Sequence, residues 1–199
     1  MIESLDAFTC VPEFSRKHTT FRVYAQGQKE PVARAHKDSA WDTRFPYHVF
    51  EGPGLDRLVG YVTPWEAMTA DRVRIGRVDR RSGSAARRDK WSFQQSGLPE
   101  LLGGPDGRAT KLRHSFPLRA VLANAPADAL FSLRLLFQGA GSDGFELTRQ
   151  SGLNPRYSVR IHDERVDRLL VLACVALVNR DDDNPRQFLA DIASNPLKG

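Results

Sequence analysis

The chain has 199 residues, of which 41% are hydrophobic, 9% aromatic and 27% charged, a balance that fits one globular domain with a real core and excludes a disordered chain. The formal net charge of +5 comes from one segment: residues 71–90 hold eight basic side chains against three acids, and the remainder holds 21 of each. The only two cysteines, Cys10 and Cys174, lie far apart, which excludes a disulfide framework and a cysteine-based metal site.

Residues 1–14, MIESLDAFTCVPEF, read as a lead-in to the fold. They lack a basic start, an apolar core and a small-residue cleavage site, so no secretory signal is expected. The expected location is the cytoplasm, including the periphery of a membrane. Thr20 to Ala25 then alternates apolar and polar residues, and Gly27, Gln28 and Lys29 supply a turn before Val32 to Ala35, which reads as a β-hairpin. Further strands are predicted at Tyr47–Phe50, Arg57–Val62, Arg72–Val78, Lys90–Gln94, Ala109–Leu112, Ser115–Leu122, Leu130–Phe137, Phe145–Arg149 and Arg156–Ile161. Asp106-Gly107 and Asp143-Gly144 are the strongest turn signals, because glycine supplies positive φ and aspartate tolerates it. Strands at intervals of about ten residues, without amphipathic crossover helices between them, favour an antiparallel sandwich or barrel over a parallel α/β fold. Val59-Gly60-Tyr61-Val62 and Ile75-Gly76-Arg77-Val78 share a strand-glycine pattern that is too common to count as an internal repeat.

Helix enters late. Leu169 to Val178, LLVLACVALV, is apolar without interruption. As a helix it reaches only about 15 Å, roughly half of a bilayer's hydrocarbon thickness. A helix apolar on every face must be wrapped by other protein. The predicted helix spans 163–180, with Asp163 or Glu164 as its cap, and ends before Asp181, since three aspartates oppose the negative pole of the helix dipole. Asn184 and Pro185 open a second, short amphipathic helix over 184–195, whose apolar face of Phe188, Leu189 and Ile192 packs outside the sheet. Residues 1–199 thus form one domain.

Three groups of residues carry a family resemblance. They are Lys17 to Tyr24, reading KHTTFRVY; Ile75-Gly76-Arg77-Val78 with the basic hairpin leading to Asp89-Lys90-Trp91-Ser92-Phe93; and Asn154-Pro155-Arg156-Tyr157-Ser158-Val159 with Val166-Asp167-Arg168-Leu169-Leu170 and the apolar helix. From about Phe14 to Arg180 the chain resembles bacterial members of the tubby-like superfamily, which includes the tubby C-terminal domain, the LURP-one-related proteins and the phospholipid scramblases. The resemblance implies a mainly β fold, a closed antiparallel barrel of about twelve strands around a central hydrophobic C-terminal helix. Tubby domains bind phosphoinositides, and scramblases are associated with calcium and membranes. This chain lacks a cysteine-rich acylation run, a proline-rich leader and a membrane-length tail, so lipid scrambling is not expected. No phosphoinositide-binding position carries over residue by residue.

Catalytic chemistry finds little support. His18, His36, His48, His114 and His162 are dispersed and show no metal-binding spacing. Asp181-Asp182-Asp183-Asn184 lacks the glycine and distal glutamate of a calcium loop. There is no nucleophile elbow and no phosphate-binding loop, and Trp41, Trp65 and Trp91 read as core and barrel-rim residues. No cofactor or metal is expected. The leading expectation is a non-catalytic binding module that recognises anionic lipid or another phosphate-bearing ligand through Arg77, Arg80, Arg81, Arg87, Arg88 and Lys90. The competing readings are a solubilising hairpin, a protein-protein interaction scaffold steered by the same charges, and, with less support, nucleic-acid binding, for which aromatic stacking platforms are missing from the basic run.

Overall fold

The computed structural model describes residues 1–15, 17–39, 42, 45–81, 90–105, 133–150 and 155–182. A 3-10 helix, Ile2–Ser4, precedes twelve strands: β1 (Ala7–Phe14), β2 (Thr19–Ala25), β3 (Ala33–Lys37), β4 (Tyr47–Glu51), β5 (Arg57–Val62) and β6 (Glu66–Thr69), then β7 (Arg74–Arg81), β8 (Lys90–Gln95), β9 (Leu101–Pro105), β10 (Leu133–Gly139), β11 (Ser142–Arg149) and β12 (Tyr157–Ile161). Each strand pairs antiparallel with its neighbours in sequence, and β1 pairs with β12 to close the barrel. Among the described residues one helix follows, α1 (Arg168–Asp182).

The barrel solves the burial problem posed by its helix. From Leu169 to Asn179 no residue exposes more than 6% of its surface, so the apolar rod is enclosed on all sides. Full burial of each leucine or valine contributes about 1.5–3 kcal/mol. Inward-facing residues of the strands, among them Phe21, Val49, Phe93, Phe137 and Leu147, complete one continuous core. The two strand glycines noted in the sequence lie where the start of the helix presses on the wall. A Cβ on Gly60 would come 2.6 Å from Leu169 Cδ1, and one on Gly76 would come 2.6 Å from Leu170 Cδ2.

Several local expectations are corrected. Residues 1–14 are no lead-in: Ile2 is fully buried, and Phe8 and Cys10 put β1 into the core, where it is the strand that closes the barrel. The alternation there is interrupted by Pro12 and Glu13, which hid the strand. Short β6 and glycine-rich β9 also escaped detection. Asp143-Gly144 is not a turn. The chain reverses at residues 140–141, with Gly141 at φ +71, and Gly144 lies inside β11 at φ +59, where any side chain would run into the Phe137 carbonyl. Its positive φ marks the irregularity opposite Phe137 and Gly139. The predicted strands Ala109–Leu112 and Ser115–Leu122, the Asp106-Gly107 turn and the helix over 184–195 lie outside the described residues. The barrel closes among the described strands, because β9 pairs directly with β10.

The helix starts later and ends later than expected. Its cap is Asp167, whose Oδ1 accepts the amides of Leu169 at 2.8 Å and Leu170 at 3.2 Å. Asp163 instead folds the preceding loop: it accepts the Ser142 hydroxyl at 2.5 Å, and the Arg165 amide and guanidinium at 2.7–3.0 Å. Gln95 clamps the same loop, donating to the Arg165 carbonyl and accepting from the Asp167 amide, both at 2.8 Å. Arg168, buried, donates to the carbonyls of Leu5 at 3.0 Å, Glu164 at 2.6 Å and Val166 at 2.5 Å. Buried Glu51 receives the Ile2 amide at 2.7 Å and pairs with Arg57. These contacts fasten the N-terminal turn and the loop before α1 across one end of the barrel, its base.

Candidate binding surfaces at the rim and on the outer wall

The opposite end, the rim, is where the odd-numbered strands finish and α1 finishes with them. Tyr157, the first residue of β12, donates its hydroxyl to Asn179 Oδ1 at 3.1 Å. Three inward-facing cations stand at this end: Lys37 on β3, Arg80 on β7 and Arg149 on β11. These strands are four apart around a twelve-strand circuit, so the cations are spread evenly about the helix end. Each lies beside a buried aromatic in the first two residues of the next strand, Tyr47, Trp91 and Tyr157. Lys37 Nζ is 4.9 Å from the Tyr47 ring centroid, and the Arg80 guanidinium carbon is 5.1 Å from that of Trp91. A collar of positive charge favours the partial negative charge of the last helical carbonyls. That gives a physical reason for the helix to continue to Asp182.

The basic hairpin β7–β8 reaches this rim and divides its charges between two faces. Arg77, Asp79 and Arg81 point outward on β7; Lys90, Ser92 and Gln94 face the same way on β8, with Arg81 opposite Lys90. Arg80 points inward over Trp91, so it belongs to the collar and not to the outer cluster expected from sequence. Arg87 and Arg88 lie outside the described residues. The outer cations are partly compensated. Arg77 Nε donates to Gln94 Oε1 at 2.8 Å and lies 3.3 Å from Asp79. Glu100 accepts from Ser92 and from Gln94, at 2.8 Å for the latter; these hydrogen bonds, and then Arg77 and Arg81, hold its carboxyl below the usual range. Among the described residues of the hairpin, Arg81 and Lys90 are the exposed cations nearest the rim.

Sequence reasoning missed the aromatics that share this end of the barrel. Phe14 ends β1, Phe45 precedes β4 and Trp65 follows β5, so all three stand at the rim, and they are 41%, 54% and 38% exposed. Arg180, from the last turn of α1, lies 4.9 Å over the Trp65 ring. Aromatics at chain reversals are individually ordinary; only the strand order gathers them at one end with the cations.

The outer wall carries a broad hollow of about 800 Å³ across β10, β11, β12, β1 and β2. Its floor is the cross-strand row Thr148, Ser158 and Thr9, with Arg134 at one side and Tyr24 at the other. Glu146 pairs with Arg134 at 2.8 Å, and its carboxyl is held below the usual range by that bond first.

Among the described residues no three His, Cys, Asp or Glu side chains gather as a metal site, and no helix is long and apolar enough to cross a membrane. His36 is held between Thr20 at 2.8 Å and Asp38 at 3.0 Å, and His48 packs on Tyr61. Cys10 and Cys174 are fully buried, and desolvation pushes both thiols far above their usual range. Comparison with protein-family models, curated proteins and solved structures finds no match to this chain.

Proposed function

We propose that this protein is a non-catalytic binding module that attaches to anionic lipid surfaces, or to another phosphate-bearing ligand, by the rim of its barrel. The supporting observation is the gathering of Arg81 and Lys90 at the same end as the exposed Phe14, Phe45 and Trp65. Cations draw an anionic interface at about 1 kcal/mol each. Aromatic rings suit the headgroup boundary, with one apolar side and one wet side. The architecture, a twelve-strand barrel around an apolar helix, also supports kinship with the tubby-like superfamily.

Flotation with vesicles tests the reading. Recovery is expected with anionic vesicles at low salt, to fall steeply as salt rises, and to be weak with neutral vesicles. Arg81→Gln with Lys90→Gln, or Phe45→Ser with Trp65→Ser, should each lower recovery several-fold while leaving the fold intact. Equal recovery on neutral and anionic vesicles would sink the proposal.

A further inference from the structure

The hollow on the outer wall lies on β10, β11, β12, β1 and β2, apart from the Arg81 and Lys90 pair of β7 and β8. Its central row presents three hydroxyls, Thr148, Ser158 and Thr9, about 4.8 Å apart across the strands. On either side of Ser158 the outward positions are Arg160 on β12 and Arg156 just before it, both exposed and about 13 Å apart at an extended rise of about 3.3 Å per residue. Lys29, in the β2–β3 turn, is a further cation at the base end. Among the described residues of the lining the only acid is Glu146, cross-strand from Arg160 and paired with Arg134, so their balance is positive. Gln150 donates to the Ser158 hydroxyl at 3.4 Å, and the Thr148 hydroxyl donates to Glu146 at 3.2 Å.

Its size lies within the range of about 300–1,000 Å³ typical of ligand sites. Arg156 and Arg160 do not converge on one point, as a phosphate cradle requires. Their separation matches side chains four residues apart on one face of an extended chain. A guanidinium pairs with one carboxylate through two parallel hydrogen bonds. The ladders of β11, β12 and β1 are already complete, so an added strand is excluded and recognition must run through side chains. We infer that the hollow binds an extended acidic peptide, with carboxylates at positions i and i+4 on Arg156 and Arg160 and the small residue between them over the Ser158 and Thr9 hydroxyls.

Fluorescence anisotropy with a labelled peptide of sequence Glu-Ser-Gly-Ser-Glu tests this, against an isomer with the two glutamates adjacent and against a short single-stranded oligonucleotide. The spaced peptide is expected to bind more tightly than both. Arg156→Gln and Arg160→Gln should each weaken it about tenfold. Ser158→Glu, which puts a carboxylate in the floor, should abolish binding. Thermal midpoints should be unchanged, and Arg81→Gln with Lys90→Gln should leave peptide affinity as it was, so that this site and the rim fail or succeed separately. Absence of binding, equal binding of the adjacent isomer, tighter binding of the oligonucleotide, or equal sensitivity to the rim substitutions would each overturn the assignment.

Discussion

The Arg80 guanidinium lies over the ring of Trp91, its cross-strand partner, on the inner side of the barrel rim. Its neighbour Arg81 points outward, opposite Lys90. One step along a strand thus separates a structural cation from a surface one. A desolvated cation over an indole contributes about 2 kcal/mol. Arg80→Ala should lower the unfolding free energy by about that amount and leave vesicle recovery unchanged at matched folded fraction. Arg81→Gln should do the reverse. Chemical denaturation and flotation on the two variants separate the roles; lost vesicle binding in a fully stable Arg80→Ala protein would contradict this assignment.

Gly76 is where the wall yields to the helix. A methyl group there meets Leu170 Cδ2 at 2.6 Å and also crowds the backbone of β8. Gly76→Ala should therefore destabilise by about 1–3 kcal/mol, the range for overpacking a close-packed core. At Gly104 an added Cβ meets nothing within 4 Å, and Gly104→Ala should stay within about 0.5 kcal/mol of the parent. Denaturant midpoints of the two variants make the comparison.

Two aspartates four residues apart should respond to acid in opposite senses. Hydrogen bonds from Arg165 first, and then from Ser142, hold the Asp163 carboxyl well below its ordinary value near 3.8. Its contribution to stability is present above that ordinary value and is lost as pH falls from there toward its folded value. Asp163→Asn should remove this part of the acid-induced loss. Burial raises the Asp167 carboxyl, against the opposing effect of the Leu170 and Leu169 amides. Its contribution is present below the ordinary value and fades as pH rises through the raised one. Asp167→Asn keeps a capping oxygen and removes the buried charge, so it should be at least as stable as the parent at neutral pH; Asp167→Ala should cost about 1 kcal/mol as the cap is lost. Thermal melts of the three variants across the acid range check both signs.

Cys10 and Cys174 should be silent toward thiol reagents in the native protein. Both are fully buried, and desolvation disfavours the reactive thiolate. Labelling should appear only with unfolding and should track its rate as denaturant is raised. Fast modification of native protein would show that the wall opens locally near β1 or α1.

The polarity patterns in the sequence were enough to identify nine of the twelve described strands and the enclosed helix, because alternation and an all-apolar run depend on local residue order. They misplaced the helix cap, since Asp163, Glu164 and Asp167 are equally good caps until tertiary contacts with Ser142 and Gln95 assign their roles. The basic hairpin was visible as composition. Which of its arginines face outward was not, because that depends on the register of β7 against β8, and a shift of one residue exchanges the faces.

An apolar rod too short for a bilayer, in a strand-rich chain, dictated from sequence that a β wall must enclose it: water exclusion is a property of the residues themselves. Strand order alone decided that Lys37, Arg80 and Arg149 ring the helix end, that Phe14, Phe45 and Trp65 share one rim, and that Arg156, Ser158 and Thr9 meet in one hollow. Those neighbours are brought together by hydrogen-bonded pairing between segments distant in the chain, and no local pattern of polarity encodes which segments will pair.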